Sequence, residues 1–159
     1  MKVINTPAGL VDLDRYPIAD LETPEGRTFA QKCRQQYLET GLCMLPHFIV
    51  PEALGTLAEE ANGVTHEAFF CHNTHNAYLS EDDASLPANA IERRLEQTHV
   101  GSVPYDRIGS DSWLRRLYLW DPLKDFIGYV LSKDSFYRFA DPLGACSINV
   151  FVEGGEHGW

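Results

Sequence analysis

The residues best placed by type and spacing to do chemistry lie between Cys146 and Trp159, in the run Cys-Ser-Ile-Asn-Val-Phe-Val-Glu-Gly-Gly-Glu-His-Gly-Trp. Ser147, Asn149 and Phe151 alternate with Ile148, Val150 and Val152, the period-2 pattern of a strand with two different faces. Gly154 and Gly155 follow, then Glu156, His157, Gly158 and Trp159. An imidazole at this point can hydrogen-bond a carboxylate or an amine, and the neighbouring glycines permit close backbone approach. Tryptophan ordinarily buries most of its surface, whereas chain tails tend to be polar and loosely packed. A strand running into this sequence therefore reads as the approach to an active site, and the chain as the front part of a larger catalytic domain. The competing readings are an exposed turn histidine satisfied by water and a tryptophan that is plain core.

A second set of candidates precedes it. His66, His72, His75 and His99 invite a metal site, with His72-x-x-His75 the nearest thing to a ligand pair. Zinc usually takes two such pairs, or cysteine partners at set spacing. The four cysteines, Cys33, Cys43, Cys71 and Cys146, contain no CxxC and no zinc-finger spacing. The alternative is a wall of donors and acceptors, His72, Asn73, His75, Asn76 and Tyr78, of the sort that orients a free amino acid, or else a loop that hydrogen-bonds to itself. Glu153 and Glu156 could recognise a cationic amine or be exposed hairpin carboxylates. Among Arg93, Arg94, Arg115, Arg116 and Arg138, the last is the best candidate to grip a carboxylate, because it lies on a candidate strand; adjacent arginines on helices more often form a solvated face. No GxGxxG, P-loop, GxSxG or HExxH occurs.

The run from Cys146 to Trp159, with Asp141-Pro142-Leu143-Gly144-Ala145 before it, resembles the non-haem Fe(II)/2-oxoglutarate-dependent oxygenases that act on free amino acids, in particular the BesD/HalD-like lysine halogenases and related hydroxylases. In that group the run continues Glu-His-Gly-Trp-His-Phe-(Asp or Gly). The histidine after the tryptophan is the first iron ligand. An aspartate two places on completes a triad of two histidines and one carboxylate and goes with hydroxylation; a glycine leaves a position for chloride and goes with halogenation. The resemblance is specific over residues 141–159. Elsewhere only the order helix, glycine, short apolar strand, proline, helix is shared. It implies Fe(II) and 2-oxoglutarate as cofactors, with no metal ligand in this chain and a basic residue further on for the 2-oxoglutarate carboxylate. It also implies that His157 contacts the amino-acid substrate and that Gly158 and Trp159 shape the rim beside the iron. Asn149 would point into the barrel, toward 2-oxoglutarate or substrate, or be a buried asparagine satisfied by backbone. The implied fold is α+β, with N-terminal helices packed on a partial double-stranded β-helix, the cupin-like jelly roll, incomplete at its C-terminal end. The implied reaction is hydroxylation or halogenation of an unactivated C–H of a free, basic amino acid. Two rivals remain: a non-catalytic binding or scaffold fragment, and a small zinc-binding module using the loop histidines.

The elements that must position these residues are partly visible. Residues 1–24 hold four prolines and glycines that make them irregular, with a short strand near Val11 to Leu13. Thr23-Pro24-Glu25 starts a helix: Thr23 caps, Pro24 suits the first turn, Glu25 suits the positive end of the dipole. Phe29, Cys33, Tyr37 and Leu38 stripe it, and Gly41 ends it. Leu42 to Val50 is extended. Pro51 opens a second helix to about Ala61, lined by Leu54, Leu57, Ala58 and Ala61. Residues 64–110 are expected to be the least regular, with a short helix near Ala90 to Glu96. Asp111 or Ser112 caps a helix to Leu119, and Asp121 caps another to Leu131. Phe136 to Phe139 reads as a strand. The whole is a single incomplete domain, 1–159, with a supporting region 1–135 and the start of the jelly-roll core at 136–159. Unpaired sheet edges would then invite homo-oligomers.

Composition narrows the partners. With 23 acidic against 13 basic side chains the chain carries a net charge of −10, which disfavours nucleic acid and anionic membrane surfaces as partners. No positive region leads into an apolar core at the N-terminus, and no apolar run approaches bilayer length. With scattered free thiols, a cytoplasmic location is expected, and a small-molecule amino acid is the expected partner.

Overall fold

A computed structural model describes residues 4–154. They form four helices and a three-stranded antiparallel sheet: α1 (Pro24–Thr40), α2 (Pro51–Gly63), β1 (Phe69–His75), β2 (Glu96–Val103), α3 (Trp113–Tyr118), α4 (Asp121–Val130) and β3 (Ile148–Val150). Short 3₁₀ turns lie at Pro7–Leu10, Thr65–Glu67, Ile91–Arg93 and Tyr105–Arg107. The mixed helix-and-strand class expected from the sequence is present in this coarse form.

Helix α1 begins as its sequence demands. The Thr23 hydroxyl accepts the Gly26 amide at 3.1 Å and donates to the Asp20 carbonyl at 2.9 Å, tying the incoming chain to the helix end. Gly41 stops it at φ 72°, its amide returning to the Tyr37 carbonyl. One side of α1 packs on α4: Ile18, Ala30, Cys33, Phe126 and Val130 are buried together, and the Phe29 and Phe126 rings stack 5.8 Å apart. A second cluster, Leu10, Ala53 and Leu57, lies between α2 and α3 and is covered by Trp113, Leu114 and Leu117. An isolated bridge, Val11 with Ile49, lies between the two clusters, so the extended arm does pair near the expected positions. Each fully buried Leu or Ile here contributes roughly 1.5–3 kcal/mol by leaving water. The stripes are rotated from the expected ones. Leu38 and Leu54 are 66% and 54% exposed, and Ala30 and Ala53 are fully buried in their stead.

Several expectations are corrected. Residues 64–110 are not the least regular part, for they carry β1 and β2, paired along seven positions from Phe69 with Ser102 to His75 with Glu96. Strand β1 escapes sequence reading because it is exposed over nearly its whole length; its backbone pairing, not a buried face, makes it a strand. The sheet thus starts at Phe69 and not at residue 136. Phe136 to Phe139 form no strand: Phe136 packs over Gly128 of α4. Only a 3₁₀ turn forms near Ala90. Asp121 is the first residue of α4 and makes no capping bond. Among the described residues no helix is long and apolar enough to cross a membrane.

All four cysteines are free; Cys33 is buried, Cys43 and Cys146 half-buried and Cys71 exposed. Burial, followed by the adjacent Cys43 thiol, pushes the Cys33 thiol up from 9.0 to about 12. The thiolate is the reactive form, so iodoacetamide at pH 8 should alkylate Cys71 and leave Cys33 untouched until the chain unfolds, as peptide mass mapping would show. Because the folded value lies above the unfolded one, the stabilisation linked to this thiol is complete below pH 9.0 and is lost as pH rises toward about 12.

Candidate functional site

The candidate residues gather on the sheet and on the loop that joins its first two strands. Partners in an antiparallel ladder share a face, so the register sorts them. Asn73 faces Thr98 and Asn149 faces Ser102, which places Asn73, His75, Thr98, Ser102 and Asn149 on one side. His72 faces His99 on the other side, with Phe70, Ile148 and Val150. The five loop residues expected to act as one wall are therefore split by the strand's alternation. The same alternation separates His72 from His75, so the zinc reading loses its ligand pair. Among the described residues no group of three or more His, Cys, Asp or Glu could hold a metal ion.

On the polar face His75 is held from both ring nitrogens. Nδ1 lies 3.1 Å from the Asn76 carbonyl and Nε2 lies 2.7 Å from Thr98 Oγ1. The carbonyl can only accept, so in the neutral ring Nδ1 donates and Nε2 accepts the Thr98 hydroxyl. Neither nitrogen is left for a substrate, and Thr98 is itself buried. Asn76 is also structural, at 2% exposure. Its Oδ1 accepts the Tyr78 and Ser80 amides and its Nδ2 donates to the Ser80 carbonyl and hydroxyl, all at 3.1 Å. This is a side chain mimicking a backbone turn. His75 and Asn76 are thus corrected from substrate contacts to scaffolding. Asn73, Tyr78 and Asn149 are exposed, and their side chains hydrogen-bond to no other described residue, which leaves Asn73 and Asn149 as amides that can both donate and accept. Asn149 is not the buried, backbone-satisfied asparagine of the alternative reading. His157 and Trp159 lie outside the described residues.

Four of the five candidate arginines make side-chain hydrogen bonds or ion pairs, and exposed Arg116 makes neither among the described residues. Arg138 Nε and Nη2 donate to the Tyr118 and Leu119 carbonyls at 3.0 and 2.7 Å, and Nη1 sits 3.0 Å from Asp121. It closes the C-terminal end of α3 and joins it to the start of α4, which removes it as a carboxylate grip; the Arg138 hydrogen bond, then Lys124, holds the Asp121 carboxyl below its usual range. Arg93 makes a two-point contact with Asp82 and donates to the Leu86 carbonyl. Arg94 pairs with Glu96. Arg115 lies 4.2 Å over the Tyr105 ring and Arg116 lies 4.8 Å over Trp113.

Sequence reasoning passed over Glu60. From α2 its carboxylate accepts the Ser112 hydroxyl at 2.8 Å and the Trp113 and Leu114 amides at 2.8 and 3.3 Å, closing the start of α3. A cavity of about 320 Å³ lies beside it, with Ile148 of β3 in its wall. Of its polar lining, Glu60 and Ser112 bond to each other, while Asp111 also borders the cavity. No local signal marks this contact, because its partners are more than fifty positions apart. Compared with known protein families, curated proteins and solved structures, the chain matches none.

Proposed function

We propose that the chain is the substrate-side, N-terminal part of an Fe(II)/2-oxoglutarate-dependent oxygenase that hydroxylates or halogenates an unactivated C–H of a free, basic amino acid. The observation that carries this reading is the sequence Glu156-His157-Gly158-Trp159, separated by five residues from an antiparallel strand in which Asn149 is exposed. Asn73 on the same face supplies a second amide able to meet a carboxylate or an amine. On this reading β1, β2 and β3 belong to a double-stranded β-helix, and the protein works in the cytoplasm, where free thiols persist. Among the described residues no group of His, Cys, Asp or Glu fits an iron site; on this reading the ligands would be supplied after Trp159, and no step is assigned to iron here. Bound iron with 2-oxoglutarate would supply the oxidising chemistry; the residues described would bind and orient the amino acid.

The test has two parts. The coding sequence past Trp159 should read His-x-Asp or His-x-Gly. The full-length protein given Fe(II) and 2-oxoglutarate should release succinate faster with lysine, ornithine or arginine. Asn149→Ala should raise the KM for the amino acid by about ten-fold, the cost of one lost polar contact at about 1.4 kcal/mol, and change that for 2-oxoglutarate less. A different continuation, with no succinate formed, would overturn the reading.

A further inference from the structure

The cross-strand pair on the other face has chemistry of its own. His72 and His99 stand 27 positions apart in sequence yet directly opposite in the ladder. Their rings stack with centroids 4.6 Å apart and planes 15° apart. His72 is exposed and His99 half-exposed, so both edges can be reached from water. Phe70 walls one side: its ring meets His99 edge-on at 6.1 Å and covers Gly101, where a β-carbon would come within 2.8 Å of it. Gly101 thus makes room for the phenyl ring beside His99.

We propose that His72 and His99 form a two-histidine site for a divalent transition metal on this face of the sheet. A metal bound by two imidazole nitrogens sits about 2 Å from each. The nitrogens must therefore come within about 4 Å of one another. Ring centroids 4.6 Å apart on paired strands put that nitrogen separation within the reach of side-chain rotation. The donor set selects the class of ion. Two neutral nitrogens with no carboxylate suit Cu(II), Ni(II) or Zn(II) and exclude Mg(II) and Ca(II), which take oxygen ligands. No further His, Cys, Asp or Glu among the described residues makes a group of three with them, so the remaining coordination positions stay open to water or to a bound molecule. The affinity order follows the metals' intrinsic preference for nitrogen, with Cu(II) tightest. A metal here would join β1 to β2, and the folded state would gain stability as metal is added. The site is independent of the oxygenase reading, since it uses neither Asn149 nor any residue beyond Trp159.

The experiment is a titration of the whole 159-residue chain with CuCl₂, NiCl₂ and ZnCl₂, by calorimetry and by NMR of the imidazole and amide protons. One metal per chain is expected, with Ni(II) broadening centred on the amides of residues 72 and 99. His72→Asn and His99→Asn should each weaken binding at least ten-fold. His47→Asn, His66→Asn and His157→Asn should leave it within two-fold. Broadening centred elsewhere in the unaltered chain would overturn the proposal whether or not the variants fold. So would a His72 or His99 variant that binds as well as the parent, or no binding of any of the three metals at millimolar concentration.

Discussion

Gly26→Ala is expected to destabilise the protein by about 3 kcal/mol or more, the upper range for forcing a methyl group into a filled space. For a chain of this size that is a fall in Tm of roughly 6–12 °C. Helix propensity alone points the other way, since alanine is favoured over glycine by about 1 kcal/mol inside a helix. The sign is reversed by what surrounds the third residue of α1. A β-carbon there would run into the Asp20 carbonyl oxygen and come within 2.8 Å of the Pro17 carbonyl and 3.0 Å of Thr23 Oγ1. Two of these atoms are backbone, and the segment that carries them is anchored by fully buried Ile18. The third is the capping oxygen itself, which would be displaced from the Gly26 amide. Gly55, inside α2, supplies the control: no atom lies within 4 Å of its would-be β-carbon, so Gly55→Ala should stabilise by about 0.5–1 kcal/mol. Thermal unfolding of the two variants beside the parent decides the matter. A Tm for Gly26→Ala at or above the parent's would mean that residues 17–20 are not held against α1.

Glu60→Ala should cost about 2–3 kcal/mol. Helix α3 is only six residues long, too short to persist on its own, and its first amides are satisfied from a different helix. Removing the carboxylate leaves the Trp113 amide without its 2.8 Å partner and the Ser112 hydroxyl without its acceptor. It also removes a negative charge from the positive end of α3. The damage should spread, because Trp113, Leu114 and Leu117 cover the cluster of Leu10, Ala53 and Leu57. Glu60→Gln keeps an acceptor oxygen and should cost about half as much. Amide exchange is the discriminating measurement. Residues 113–119 should exchange faster in Glu60→Ala while α1 and α4 stay protected. Uniform acceleration through all four helices would show instead that the clasp stabilises the whole domain at once.

What sequence reasoning located and what it missed divides along the range of the forces involved. The start of α1 was legible because Thr23, Pro24 and Glu25 all act within the first helical turn, and its end because Gly41 takes φ 72° there. Strand β3 was legible only in part: Ile148 and Val150 alternate with exposed Asn149, but the strand stops at Val150, and Phe151 and Val152, expected to continue the alternation, are both exposed. β1 and β2 were not legible. Their pairing is closed across a 20-residue connection, and β1 shows no buried side to advertise it. The candidate site suffered for the same reason. His72 and His75 look like a pair in sequence and are separated by the pleat, while His72 and His99 look unrelated and stack. Arg138 looked like a ligand because an arginine among aromatic residues resembles a strand; its guanidinium instead answers the open carbonyls of α3, which no local pattern records. Side-chain partners chosen across the fold decide whether a polar residue is available for chemistry, and those partners are set only once the chain has closed on itself.

The connection between β1 and β2 carries its own framework. Asn76 folds its near end and Arg93, bound to Asp82 and to the Leu86 carbonyl, folds its far end. Neither anchor uses a side chain on the outer rim, where Tyr78, Leu79, Ile91 and Leu95 stand in solvent. The rim can therefore change its lettering while the hinge points and the ladder stay in step. Substitution of these four exposed side chains should therefore leave the pairing of β1 with β2 in register.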